Sequence, residues 1–238
     1  MKMVGDRAYV SRWAIGWVPV WWIVLGFSCE VQANDEFQLW VDPADVALNL
    51  SEHVRSTIQA QLRYDDGGRL VRQHSDVGIV YTGLMDWLHV GLNYRLIFRR
   101  LSDEAWKQQN RGHLNFTARG KLLRMGFSNR VRFEYNSLKD VGDYQTVRNK
   151  ISLNPPLEFA PNENRRLLRR QTLKPFASYE IFYDTFDHAI TRHRYQAGFS
   201  MAANKNIKGE ISYMRSDDAS SIELNDLNIL LLRLRLQF

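Results

Sequence analysis

Residues 124–135 read RMGFSNRVRFEY. Taken alternately, they separate into two rows. Met125, Phe127, Val131, Phe133 and Tyr135 fall on one side, and Arg124, Ser128, Arg130, Arg132 and Glu134 on the other. Alternation at period two marks a strand with two unlike faces. The charges decide which kind of strand it is. A soluble β-sandwich turns its apolar faces inward and its polar faces to water. A transmembrane barrel does the reverse, with apolar faces to lipid and polar faces to a lumen. Mid-strand residues of both signs, such as Arg130, Arg132 and Glu134, suit a lumen, where they can pair.

Working outward, the same alternation recurs. Leu88, Val90, Leu92, Tyr94, Leu96 and Phe98 oppose His89, Gly91, Asn93 and Arg95. Ala177, Tyr179, Ile181 and Tyr183 oppose Ser178 and Glu180, and residues 192–201 set Tyr195, Ala197, Phe199 and Met201 against Arg192, Arg194, Gln196 and Ser200. The last segment sets Leu230, Leu232, Leu234, Leu236 and Phe238 against Arg233, Arg235 and Gln237. Weaker versions cover 54–64, 70–82, 111–119, 147–153 and 207–213, and a first segment near 37–50 is interrupted by Asp42-Pro43. The stronger segments run beyond the five or six residues usual in a sandwich and reach the roughly 9–11 needed to cross a membrane obliquely. Tyr, Phe and Trp near their ends fit interfacial girdles. The reading is an all-β, antiparallel up-and-down transmembrane β-barrel. Eleven segments violate the even-number rule of bacterial barrels. Splitting the first at Pro43, which cannot donate to a ladder, gives 12 strands, with 10 as the alternative.

Loops at 65–69, 100–105, 136–144, 184–188 and 216–225 are expected at the outer end, and turns at 51–53, 83–86, 119–122 and 203–206 at the inner end. A Pro- and Arg-rich insertion at 155–171, with Arg165, Arg166, Arg169 and Arg170, breaks the short-turn rule of the periplasmic side. It reads as a solvated insertion, or as a basic helix that plugs the barrel or binds an anionic partner.

The N-terminus supplies the route. Lys2, Arg7 and Arg12 precede 15 uncharged residues, Trp13–Phe27, and Val31-Gln32-Ala33 ends the segment. This is the plan of a signal peptide over 1–33 cut after Ala33, leaving 34–238 as the barrel. Fifteen apolar residues are too few for a retained helical anchor. The chain of 238 residues is 45% hydrophobic, and its net charge of +6 is too modest to argue for nucleic acid. One cysteine excludes a disulfide scaffold and a thiolate zinc site.

Short motifs add a resemblance. Phe37-Gln38-Leu39-Trp40, His74-Ser75-Asp76, Asp86-Trp87-Leu88, Asn110-Arg111-Gly112-His113, the run Ser128–Tyr135, Glu180-Ile181-Phe182 and Arg192-His193-Arg194 stand in the order found in the domain-of-unknown-function 2490 family. The chain resembles that family over essentially its whole length after residue 33. It departs at Gly112, where members usually carry Pro, at Thr191, where they carry Asn, and in the 155–171 insertion. The resemblance implies a bacterial outer-membrane barrel and assigns no reaction. The terminal row Leu232, Leu234, Leu236 and Phe238 resembles the insertion signal read by the barrel assembly machinery. Expected partners are therefore that machinery, periplasmic chaperones during biogenesis and outer-membrane lipid, with no nucleic acid and a monomeric state.

Candidate site residues form a lumen charge network: Arg111, His113, Arg130, Arg132, Glu134, Arg148, Lys150, Glu180, Arg192, Arg194 and Glu210. It reads as a structural network closing the lumen, or as an anion-attracting channel. His74, His89 and His113 fall on lumen faces with Ser128 one strand from His113, a pattern open to a barrel-rim acyl hydrolase or deacylase acting on lipid or lipopolysaccharide. A metal site from His74, Asp76 and His113 is conceivable, but no ligand spacing specifies one. No phosphate loop, GxSxG or dinucleotide fingerprint occurs. The expectation is a non-catalytic outer-membrane barrel, structural, binding or narrowly pore-forming, with no catalytic set, metal or cofactor. The alternatives are a lipid-modifying barrel enzyme and a soluble periplasmic β-sandwich binding protein.

Overall fold

The computed structural model describes residues 36–100, 105–138, 142–157, 173–218 and 226–238. The signal-peptide reading of 1–33, the cut at Ala33 and most of the 155–171 insertion lie outside the described residues.

Every regular element among the described residues is a strand. In chain order they are β1 (Glu36–Asn49), β2 (Val54–Tyr64), β3 (Leu70–Met85), β4 (Leu88–Arg100), β5 (Trp106–Leu122), β6 (Met125–Leu138), β7 (Gly142–Asn154), β8 (Leu173–Asp184), β9 (Ala189–Ala202), β10 (Ile207–Asp218) and β11 (Leu227–Gln237). Each lies antiparallel beside its sequence neighbour, and the ring closes where β1 meets β11. A closed barrel rules out the two stacked sheets of a sandwich.

Eleven strands replace the expected twelve because Pro43 does not end the first segment. β1 runs through it, with the register slipping between Val41 and Ala44 against β2 and between Asp42 and Asp45 against β11. Placing proline at such an irregularity costs no ladder bond, since the bulged residue is unpaired anyway. Antiparallel pairing reverses direction at each step, so an odd ring has one seam that cannot alternate. That seam is the parallel β1–β11 pair, with Glu36 opposite Leu227 and Ala47 opposite Gln237. The purely antiparallel barrel is corrected to this extent. Glu36 and Phe238 consequently lie at opposite ends.

Connections alternate as anticipated. Those after β2, β4, β6, β8 and β10 share one end, the loop end. Those after β1, β3, β5, β7 and β9 share the other. Two turns are shifted from their expected places. The β5–β6 turn is Leu123-Arg124 rather than 119–122, and the β3–β4 turn is Asp86-Trp87 rather than 83–86. Leu123 and Arg124 both take positive φ, 49° and 70°. A two-residue hairpin turn needs that conformation and normally recruits Asn-Gly, so the residue types carried no signal.

Burial is inverted relative to a soluble protein. The interior holds Asp42, Asp76, Arg95, Arg111, Arg132, Glu134, Arg148 and Glu180, all buried, whereas Ile79, Leu92, Phe133, Ile211 and Leu234 are exposed. An apolar patch lies inside beside the seam, where Trp40, Met214, Ile229 and Leu231 pack together beside Leu227. Residues 229–232 are apolar on both faces, so alternation alone could not reveal that Ile229 and Leu231 continue the inward row of Arg233 and Arg235.

Candidate functional site

The parity that puts apolar residues outside drives every second polar residue into a confined interior. There a charge must find a partner or stay hydrated. The arrangement follows from register. Glu134 on β6 accepts from Arg148 Nη1 on β7 at 2.8 Å and Arg111 Nη1 on β5 at 3.0 Å, with Arg132 Nη1 at 3.5 Å. Glu180 on β8 accepts from Arg148 Nη2 and Arg130 Nη2, both at 2.9 Å. Arg148 thus bridges two carboxylates. Lys150 Nζ donates to Gln196 Oε1 at 3.1 Å. Arg192 pairs with Asp218, Arg194 Nε donates to Ser216 Oγ at 3.3 Å, and Glu210 accepts from Arg233 at 3.3 Å and lies 4.0 Å from Arg235. Of the residues named from sequence, Arg111, Arg130, Arg132, Glu134, Arg148 and Glu180 form one ionic cluster, whereas Lys150, Arg192, Arg194 and Glu210 find polar partners outside it. His113 sits at one side of it, its Nε2 3.5 Å from Asp76.

Several participants were not singled out from the sequence. Asp42 is fully buried beside the Pro43 bulge, accepting from Arg233 Nε at 2.7 Å and Gln61 Nε2 at 2.6 Å. Arg95 donates from Nε to Asp76 at 2.7 Å, and Asn93 adds a bond at 2.9 Å. Trp40 projects inward, with the Arg63 guanidinium 3.5 Å from its ring centroid and that of Arg194 at 5.3 Å. Arg194 and Arg148 also lie over Phe182, at 4.6 and 4.2 Å. A chain of cation–π and ionic contacts thus runs from β2 through Trp40, Arg194, Phe182 and Arg148 to Glu134. Only the alternation of Trp40 with Gln38 and Asp42 hinted at its inward direction.

The histidine–serine pair does not form. Ser128 lies opposite Arg119, whereas His113 lies opposite Glu134, six residues farther along β6. At about 3.3 Å per residue that separates them by about 20 Å. Among the described residues no group of three or more His, Cys, Asp and Glu side chains is arranged to hold a metal ion; Asp76 is committed to Arg95 and Asn93. Leu232 and Leu234 lie exposed on the outer face of β11, and Phe238 is exposed just beyond its end.

The interior cavity has a volume of about 520 Å³. Thirteen cationic side chains, twelve of them arginine, and six carboxylates line it. Cations outnumber acids about two to one, so the space favours anions over cations.

A family model described as a protein of unknown function, DUF2490, matches residues 37–225. No curated protein matches the chain.

Proposed function

The chain belongs to the DUF2490 family, and on that premise we propose that it is a non-catalytic bacterial outer-membrane β-barrel with a cation-rich interior suited to binding rather than bulk permeation. The observation that carries this reading is the inversion of burial. Buried Arg, Glu and Asp inside and exposed Leu, Ile and Phe outside form the arrangement a lipid-embedded barrel requires. In water it would leave a large apolar surface uncovered. Strands of 11 to 17 residues reach or exceed the roughly 9–11 a bilayer needs. Exposed aromatics stand at both ends, with Phe37, Trp106 and Phe186 at the loop end and Tyr81, Trp87 and Phe238 at the other, where interfacial girdles would lie, and others such as Tyr94 and Phe133 face outward between them. The crosslinked interior, with Trp40 and Phe182 held between guanidiniums, favours a filled lumen over a wide channel.

Heat-modifiable gel mobility tests the reading. Membrane-extracted protein should migrate differently in SDS before and after boiling, because a closed barrel resists SDS until its ladder melts. Recovery of folded protein from the soluble periplasmic fraction without detergent would overturn it. In planar bilayers the same preparation should show no large, steady conductance steps; a wide, stable pore would contradict the filled interior.

A further inference from the structure

The interior contains a row of cations that form no ion pair among the described residues. Arg63 on β2 lies directly opposite Arg72 on β3, Arg72 opposite Arg99 on β4, and Arg99 opposite Lys107 on β5. Four adjacent strands therefore present four like charges side by side, at the loop end of the barrel. Directly opposed like charges destabilise a sheet. Arg194 approaches the row from β9, stacked on the same Trp40 ring as Arg63.

The interior carboxylates that form ion pairs form them elsewhere; Asp184 and Asp187, which also line the cavity, form none among the described residues, and Asp184 instead accepts from the Phe186 and Asp187 amides. Glu134 and Glu180 hold Arg111, Arg132, Arg148 and Arg130, Asp76 holds Arg95, and Asp218 holds Arg192. Among the described residues no carboxylate lies in ion-pair range of Arg63, Arg72, Arg99, Arg194 or Lys107. Arg63 makes one neutral hydrogen bond, to Gln61 Oε1 at 2.7 Å.

A second observation points to a ligand. His74, two residues from Arg72 on β3, lines the cavity, is 4% exposed, and has both ring nitrogens buried without a hydrogen-bond partner. Arg72 Nε is likewise buried and unpartnered. Buried polar groups are almost always paired, so unpaired donors converging on a cavity mark a place for an acceptor.

We propose that the recess formed by Arg63, Arg72, Arg99, Arg194 and His74 binds a phosphate group. Guanidiniums offer the fork of N–H donors that phosphate accepts in pairs. Several of them can share one dianion, and His74 can add a further N–H. The phosphate can be free or esterified in a small molecule, or be carried on a lipid headgroup at the loop end. The site rests on the barrel reading above and names the ligand chemistry of that interior.

The test uses full-length processed protein folded in nonionic detergent, in phosphate-free buffer, after heat-modifiable mobility has been checked on the same preparation. Titration calorimetry with inorganic phosphate should give a saturable isotherm of one site per barrel that weakens with added salt. Arg72→Gln and Arg99→Gln should each lower affinity about tenfold or more, while Arg124→Gln, in the turn at the opposite end, leaves it unchanged. Phosphate should raise the melting temperature of the wild type and not of Arg72→Gln. Without phosphate, Arg72→Gln should melt no lower than the wild type, because it removes repulsion; a purely structural arginine would show the reverse.

Native mass spectrometry of membrane-extracted protein separates the sources. Retained phospholipid that disappears in Arg99→Gln identifies a lipid headgroup, and its absence with intact phosphate binding identifies free or small esterified phosphate. A preparation with normal heat-modifiable mobility and no saturable phosphate isotherm would overturn the site while leaving the barrel standing. Loss of the mobility shift would overturn the barrel reading first.

Discussion

At the scale of single residues, the two rules that govern this chain are parity and room. Parity decides whether a charge is buried, and room decides what an inward position tolerates. Gly198 on β9 shows the second rule. A Cβ there would stand 2.3 Å from the Ile211 carbonyl oxygen and 2.4 Å from the Ser212 Cβ on β10. Backbone cannot yield as a flexible side chain can, so only glycine allows the β9–β10 ladder to close at this spacing. Gly198→Ala should lower stability by about 1–3 kcal/mol, measured as the urea midpoint of tryptophan fluorescence for protein refolded in lipid vesicles. An unchanged midpoint would mean that the two strands are farther apart than described. His113 teaches the complementary lesson. Its inward direction was legible from alternation, but its neighbours were not. Facing Glu134 and Asp76 instead of Ser128 is a matter of register, which a list of residues does not contain.

At the scale of elements, the wall between β5 and β8 is held by two carboxylates that serve four arginines. Removing charge from such a hub strands its partners in a low dielectric, which costs more than the pair itself contributes. Glu134→Gln should therefore destabilise the barrel by about 3–5 kcal/mol, read as the same urea midpoint. If the variant unfolded with the wild type, the arginines would have to be hydrated rather than confined. That 111, 130, 132, 134, 148 and 180 sit on polar rows was visible in sequence. The hubs were not, since which arginine reaches which carboxylate depends on the offset between strands.

At the scale of the whole molecule, the odd strand number is the distinctive property. It forces a parallel seam and sends Glu36 and Phe238 to opposite ends. Leu39 and Leu230 are direct partners across that seam. Adjacent strands lie close enough for a disulfide, and the sole native cysteine, Cys29, precedes the barrel strands. The double variant Leu39→Cys/Leu230→Cys should form an intramolecular disulfide on mild oxidation, seen as a mobility change reversed by reductant. Leu39→Cys/Leu236→Cys, six positions out of register, should not. Crosslinking of the second pair alone would show that β1 runs the other way and that the ring closes differently.

The amino-acid sequence by itself determined the strands, their two faces and the inward direction of the charges, because side-chain alternation is local and has a period of two. It also carried the excess of arginine on the inward rows. The tertiary structure alone decided the closure. Whether Pro43 ends a strand depends on the irregular pairing it meets on both sides. The alignment of Arg63, Arg72, Arg99 and Lys107 depends on three successive registers. Register is set by non-local pairing and turn geometry, down to a turn as unmarked as Leu123-Arg124. The same alternating rows slid by two residues would keep every face and scatter the row of cations.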